Sequence, residues 1–435
     1  MTSFTLELIL PTWKGNKWQK GLRMPQLTLP VLAALTPPDV EVIVTEEEIE
    51  EVVYKSRVGL VGISYVTPLA ARAYEIADEY RRRGAKVVLG GIHATALPEE
   101  AIQHADAVVI GEAENVWASL IEDFRAHRLK EFYRSESYPD LRGLPVPRRD
   151  LLKQGMTFSP YSIQTTRGCP FGCQFCSVSR FFGGTFRCRP VEDVVREIEG
   201  ADKKIWLFID DNIIGNQPYA RKLFQELIPL GIKWAGQSTV LMAKNDELLK
   251  LAAKSGCLGL FIGFESLNES NLREAGKGIN KVKEYGECIK KLHDYGILIL
   301  ASFIFGFDHD DKSVFERTVD FLIRSKVVAA SLPVLVPYPG TKVYQQMEEE
   351  GRILTRDWSR YDYGNAVFRP KLMEPGELEE GARWAACRFY SRSSIISRAA
   401  YNWRHPLVFS VMNASYRAKN QDALKMRKIG SAPLI

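Results

Sequence analysis

Thr166-Arg-Gly-Cys169-Pro-Phe-Gly-Cys173-Gln-Phe-Cys176 places three of the chain's seven cysteines within eight residues. The stretch follows a short β-branched run, Ser162–Thr166, and Gly168, Pro170 and Gly172 mark it as a loop. Three thiolates spaced four and three apart on such a loop can wrap one face of a cubane iron–sulfur cluster, leaving one iron open to a ligand from solution. A structural zinc ion is the competing reading. It wants a fourth Cys or His nearby, and the nearest is Cys188, twelve residues beyond Cys176. Cys188, Cys257, Cys288 and Cys387 otherwise read as inert core thiols. Sparse, odd-numbered cysteines argue against a disulfide scaffold and for a reducing compartment.

Working outward, βα units continue downstream. Strands are expected at Ser162–Thr166 and near Ile205–Ile209, Trp234–Thr239, Gly259–Phe264, Leu298–Phe305 and Ala329–Val336. Helices are expected near Val191–Glu199, Tyr219–Leu227, Asp246–Lys254, Lys281–Tyr295, Lys312–Ser325 and Val343–Glu350. Six units are too few for a closed eightfold barrel and predict a partial (β/α)6 barrel over residues 155–352, with chemistry at the carboxyl ends of its strands. Upstream, residues 1–137 alternate short apolar runs (Thr5–Leu10, Val40–Val44, Val58–Ser64, Lys86–Gly90, Ala107–Ile110) with helical stretches such as Ala70–Arg83. That alternation predicts an α/β, doubly wound, Rossmann-like parallel sheet. Ligands of such sheets bind beyond the carboxyl ends of the strands. Those ends carry Ser64-Tyr-Val66-Thr67, Gly90-Gly91 with His93, and Gly111-Glu112; ordinary tight turns are the alternative reading. The Pro- and charge-rich residues 138–154 read as a linker.

The chain has 435 residues, of which 46% are apolar and 26% charged, which excludes disordered and fibrous classes. The net charge of +5 is uneven. Residues 381–435 hold ten basic side chains and one acid, so that tail carries +9 and the rest of the chain −4. The basic, aromatic-rich segment 353–435 is expected to form a helical cap, its aromatics packed on the barrel and its arginines in water. Contact with an anionic membrane surface or anionic substrate ranks next, and nucleic acid last. The longest apolar run, Gly296 to Phe307, is too short to span a bilayer and reads as a buried strand. No targeting segment is evident at the N-terminus, so a cytoplasmic protein, at most peripheral to a membrane, is expected.

The cysteine loop, with Phe175 just before its last cysteine, resembles the signature of radical S-adenosylmethionine (SAM) enzymes. The resemblance covers about residues 155–350 and extends to successive strand ends. Asp210, Asp211 and Asn212 stand where that family grips the amino group of SAM, followed by Gln237 and Ser238 at the next strand end. Glu265 and Ser266 resemble its Glu-Ser segment beside the methionine and ribose. Ile304 and Gly306 resemble an adenine-contacting GxIxG strand that has Ser302 in place of the first glycine. The resemblance implies that Cys169, Cys173 and Cys176 hold a 4Fe–4S cluster and that SAM is cleaved reductively to a 5′-deoxyadenosyl radical. Taken singly, Asp210 and Asp211 could merely cap a helix.

A doubly wound domain ahead of such a barrel resembles the cobalamin-binding subclass. Ser64, Val66 and Thr67, then Gly90 and Gly91, resemble its corrinoid loops, with Gly111 and Glu112 at the next strand end. The loop after the first strand, Pro11 to Trp18, has no histidine to serve as an axial ligand. His93 reads more readily as a capping or hydrogen-bonding residue. The resemblance implies a cobalamin-dependent methyltransferase acting on an unactivated carbon (or phosphorus) of a small molecule, lipid, tetrapyrrole or peptide. Its electron donor would be a flavodoxin or ferredoxin. Cyclisation, rearrangement or oxidation without methyl transfer is the alternative, and a non-catalytic metal protein the third reading. Tyr338 and Asp308 are the candidates for a catalytic acid or base.

Overall fold

Strands buried on both faces need a layer of helices on each side. The first sheet has six parallel strands: β1 (Thr5–Leu10), β2 (Glu41–Glu46), β3 (Val58–Ser64), β4 (Lys86–Gly90), β5 (Ala107–Ile110) and β6 (Phe132–Arg134). In the computed structural model, which describes residues 4–13, 26–55, 57–153 and 161–427 (the last seven by backbone alone), their order is β2-β1-β3-β4-β5-β6. Leu6, Leu8, Leu60 and Val88 pack with Leu29, Trp117 and Leu120 of the helices Thr28–Leu35 and Trp117–Arg125. The helix Ala70–Arg82 lies on β3 and β4 and buries Ala73, Ile76, Ala77 and Tyr80. Direction of strand succession reverses between β1 and β3, which puts a ligand crevice at the carboxyl ends of the strands. Two features escape pattern reading. β6 has only three residues, and β1 carries a fully buried acid, Glu7, held by the hydroxyls of Thr45 (2.6 Å) and Tyr80 (2.7 Å).

The second compact unit is a partial barrel. Its strands are β8 (Thr166–Gly168), β9 (Phe186–Cys188), β10 (Ile205–Phe208), β11 (Lys233–Ser238), β12 (Cys257–Glu265), β13 (Leu298–Phe303) and β14 (Ala329–Ser331), and β7 (Tyr161–Ile163) precedes its first residue, Thr165. The sheet order is β14-β13-β12-β11-β10-β7, and β10 to β14 pair in parallel. Helices Val191–Ala201, Gln217–Leu227, Asp246–Lys254, Tyr285–Asp294 and Val314–Arg324 alternate with the strands. Aromatic layers fill the interior, with Phe208 on Trp234 (5.2 Å between centroids) and Phe264 stacked on Phe303 (5.6 Å).

Two sequence expectations change here. The strand predicted over Ser162–Thr166 breaks in two, because the Thr165 and Thr166 amides turn to the Asp210 carboxylate; β8 instead pairs antiparallel with β9. The strands predicted to Phe305 and Val336 stop at Phe303 and Ser331, and only a Phe305–Val334 bridge continues them.

Beyond the barrel, the helix Pro375–Phe389 starts from a Glu374/Glu377 capping box. Helices Arg392–Ala399 and Pro406–Arg427 follow. The expectation of packed aromatics and solvated arginines holds only in part. Phe389, Tyr390 and Phe409 are buried, but so is Arg398, while Tyr401 and Trp403 face solvent. The guanidinium of Arg398 is accommodated because it donates to Val327 O, Val328 O, Phe389 O and Asn413 Oδ1 and stacks on Phe389. Among the described residues no helix is long and apolar enough to cross a membrane. Residues 14–25, which hold most of the stretch after β1 that lacks a histidine, residues 154–160 and Lys428 lie outside the described residues.

Candidate active site

The cysteine loop leaves β8 and enters the short helix Ser177–Phe181. All three thiols are free and half-buried. A second turn straps the loop in place. Gln174 N donates to Ala275 O (2.9 Å), and at Gly276 (φ +69°) a Cβ would stand 3.0 Å from Gly172 O. Phe175 packs edge-on against Phe307 at 6.0 Å. Burial pushes the Cys173 thiol up to about 11, and those of Cys169 and Cys176 upward too, against the pull of Lys277. Among the described residues no three Cys, His, Asp or Glu side chains are placed to hold a single metal ion. Cys188 sits on β9, outside the loop.

Carboxylates and amides from successive strand ends surround the loop. After β10, Asp210 is fully buried. Its Oδ1 accepts from Thr165 N (2.9 Å), Thr165 Oγ1 (2.8 Å) and Thr166 Oγ1 (2.6 Å), while Oδ2 has no partner among the described residues. Asp211 Oδ2 accepts from Gly168 N at 3.2 Å, and burial beside Asp210 pushes its carboxyl up to about 6. Asn212 points Nδ2 at Cys169 Sγ (4.0 Å) and leaves a buried Oδ1 unpartnered. At the end of β11, Gln237 is exposed; Ser238 is buried and turned to Thr239 O. Glu265, at the end of β12 with a left-handed φ of +67°, holds Lys277 Nζ at 2.8 Å. Burial works against the charge of Lys277, but Glu265 and Cys173 overcome it and raise its pKa.

The Gly276-Lys277-Gly278 turn carries no motif, so sequence reasoning missed Lys277. It missed Asp310 as well. That carboxylate takes Gly306 N (3.0 Å), Phe307 N (3.1 Å) and Asn271 Nδ2 (2.7 Å), and Asn271 also donates to Ser266 Oγ. Ile304 N donates to Glu265 O, so Glu265, Ser266, Ile304 and Gly306 form one connected rim.

The two candidate acid–base residues are half-buried. Asp308 is bound by Arg352 and Lys371, each at 2.7 Å; burial opposes its charge, but these cations hold its pKa below the usual range. Tyr338 is pushed well above its ordinary value by burial and donates to Tyr361 O at 3.2 Å.

In the first unit, β3, β4 and β5 end side by side. Tyr65 N donates to Gly90 O, and Gly91 (φ +99°) lets the two strand ends close, since a Cβ there would meet Tyr65 O at 2.5 Å. Gly111 N donates to Thr95 Oγ1 (2.9 Å), with open space where its Cβ would lie. Val66 is exposed and Ser64 half-buried, whereas Thr67 and Glu112 are buried. His93 takes the hydrogen-bonding position that the sequence favours. It has no exposed surface, and its ring nitrogens face Thr67 Oγ1 (3.1 Å) and Glu100 Oε1 (3.3 Å), so it ties the rim together instead of offering a nitrogen to a ligand.

Comparison with known proteins agrees with both halves. Residues 163–322 match the radical SAM superfamily, and residues 31–121 match the B12 binding domain. The bacteriochlorophyllide d C-8(2)-methyltransferase of Chlorobaculum tepidum is 31% identical over 401 residues, covering 87% of this chain and 88% of that protein. The chain is a cobalamin-binding radical SAM enzyme. The bacteriochlorophyllide d C-12(1)-methyltransferase of the same organism is 31% identical over 349 residues, covering 78% of this chain and 76% of its own. Among solved structures, TsrM from Kitasatospora setae has the same fold, with a TM-score of 0.70 at 15% identity, covering 97% of this chain and all of its own. Radical SAM enzymes of this class use a 4Fe–4S cluster, SAM and cobalamin. The residues present fit that set. Three undisulfided thiols share one strapped loop, and Asn212, whose amide lies 4.0 Å from Cys169 Sγ, offers an unpartnered acceptor to a cationic amine. At the ends of β3, β4 and β5, open space lies where a Cβ of Gly111 would stand, room that a flat macrocycle could use.

Proposed function

We propose that this cobalamin-binding radical SAM enzyme methylates an unactivated carbon of a tetrapyrrole. The observation that carries the reading is similarity spanning both units at 31% identity to two enzymes named as bacteriochlorophyllide methyltransferases. When bound, the cluster, SAM and cobalamin supply a 5′-deoxyadenosyl radical that takes a substrate hydrogen atom and a methyl group that replaces it.

The protein's own share is positioning and exclusion of water. Cys169, Cys173 and Cys176 would hold the cluster, and Asp210, Asp211 and Asn212 would face the amino end of SAM. Gln237, Ser238, Glu265, Ser266, Ile304 and Gly306 would line its length, with Phe175 packing behind the loop. Ser64, Val66, Thr67, Gly90, Gly91, Gly111 and Glu112 would border the corrinoid. Residues 1–137 then serve as the cobalamin domain, 138–154 as the linker, 155–352 as the barrel and 353–435 as the basic appendage. Substrate contacts fall to the strand-end loops, because helix Arg392–Ala399 is tied through Arg398 to the opposite, amino end of β14. A cytoplasmic flavodoxin or ferredoxin would deliver the electron.

The test is anaerobic reconstitution with iron, sulfide and hydroxocobalamin, then incubation with SAM, dithionite and a chlorophyllide-type substrate. Formation of both 5′-deoxyadenosine and S-adenosylhomocysteine with a methylated product is expected. A preparation that retains no corrinoid sinks the reading. A second reading, cyclisation, rearrangement or oxidation without methyl transfer, is favoured by 26% identity to the anaerobic magnesium-protoporphyrin IX monomethyl ester cyclase of Cereibacter sphaeroides. It would give 5′-deoxyadenosine without S-adenosylhomocysteine.

A further inference from the structure

Large exposed apolar side chains are scattered singly over most of this protein, with one exception. Leu407, Ile396 and Trp403 are the three most exposed among the described residues, at 75%, 74% and 70%. Tyr401 and Val411 belong to the same short stretch. All lie on helix Arg392–Ala399, on helix Pro406–Arg427 or in the turn between them, and these elements touch one another. Exposed apolar side chains gathered in so short a stretch mark an interaction surface.

Charge narrows the partner. Between Gly381 and Asn420 there is no acidic residue, and Arg388, Arg392 and Arg404 are exposed. The neighbouring Asp294 is already paired with Lys290 at 2.7 Å. Arg404 lies over the Trp403 ring at 5.9 Å. Apolar side chains, interface-seeking Trp and Tyr, and a basic stretch, 381–420, that itself carries no acid suit a monotopic surface on anionic lipid. A second copy docking through the same patch would set arginine against arginine.

The stretch is anchored at one end of the barrel. Arg398 donates to Val327 O and Val328 O, just ahead of β14. Arg404 donates to Asp294 O, and His405 Nε2 lies 3.1 Å from Gly296 O, just ahead of β13. These are the amino ends of the barrel strands, whereas the cysteine loop and its surrounding carboxylates occupy the carboxyl ends.

We propose that Ile396, Tyr401, Trp403, Leu407 and Val411 form a docking surface for an anionic phospholipid bilayer, with Arg392 and Arg404 at headgroup level. The surface holds the barrel with its active end turned away from the lipid. It is independent of which substrate the enzyme takes.

Sedimentation of the full chain with phosphatidylcholine vesicles, and with vesicles carrying about one third phosphatidylglycerol, tests this. Binding to the anionic vesicles that weakens with salt is expected. Arg392→Gln should lower the partition coefficient about fivefold, and the exposed pair Trp403→Ser and Leu407→Ser should abolish binding without moving the thermal midpoint. The control Val53→Ser, exposed in the first unit, should change nothing. Equal binding to both vesicles, no binding to either, or unchanged binding by the Trp403/Leu407 pair overturns the proposal. So does a solution dimer that the same pair converts to monomer.

Discussion

The Lys277 ammonium lies 2.8 Å from the Glu265 carboxylate, and both side chains are buried beside the cysteine loop. Breaking a buried pair from one side leaves the other charge uncompensated, at a cost of about 3–5 kcal/mol. Lys277→Met and Glu265→Gln should each lower the unfolding free energy by that order in urea titration, and the double variant should lose much less than the sum. Strictly additive losses would show that the pair is not coupled. In reconstituted protein, Lys277→Met should also shift the cluster midpoint potential more negative, because the lost cation favours the added electron.

Iron content separates the seven thiols. Cys169→Ser, Cys173→Ser and Cys176→Ser should each fail to retain a full cluster after reconstitution. Cys288→Ser, whose thiol is buried against Val240 O, should bind iron like the parent. So should Cys188→Ser. Loss of iron in Cys188→Ser would revive the zinc-type, four-thiol reading.

His93 is committed to Thr67 and Glu100. His93→Ala should therefore keep its corrinoid while losing about 1–3 kcal/mol of stability from the unpaired partners. Electron paramagnetic resonance of the cob(II)alamin form should show no coupling to a histidine nitrogen. Corrinoid loss at undiminished stability would refute this assignment.

Asp308 governs part of the acid limb. Burial opposes its charge, but Arg352 and Lys371 outweigh it and lower the folded pKa. A depressed carboxylate contributes stability that is complete above its ordinary value of about 4 and is lost as pH falls through the folded value. Asp308→Asn should thus be less stable at neutral pH and show a flatter decline below about pH 4. An identical acid limb would remove Asp308 from the account.

Arg398 supports the C-terminal helices from within. Arg398→Leu strips donors from three buried carbonyls and from Asn413, which should cost about 3 kcal/mol or more. Arg398→Lys should recover only part of the loss in thermal melts, because one ammonium cannot span the same fork of acceptors.

What was legible in the sequence is what local pattern encodes. β1, β3, β4 and β5 lie where their β-branched runs place them, and helix Asp246–Lys254 agrees residue for residue. The cysteine loop, with thiols four and three apart, is legible from contiguous residues alone. The strand that became β7 and β8 could not be read, because the force that breaks it comes from Asp210, more than forty residues away.

The sequence by itself determined two α/β units, a three-thiol loop at a strand end and a basic tail, since period, spacing and composition are properties of contiguous residues. Only the tertiary structure decided which charges are buried and why that is tolerable. Glu7, Lys277, Asp310 and Arg398 look in sequence like any surface charge. Each is stable inside only because partners distant in the chain supply the hydrogen bonds or opposite charge that desolvation demands.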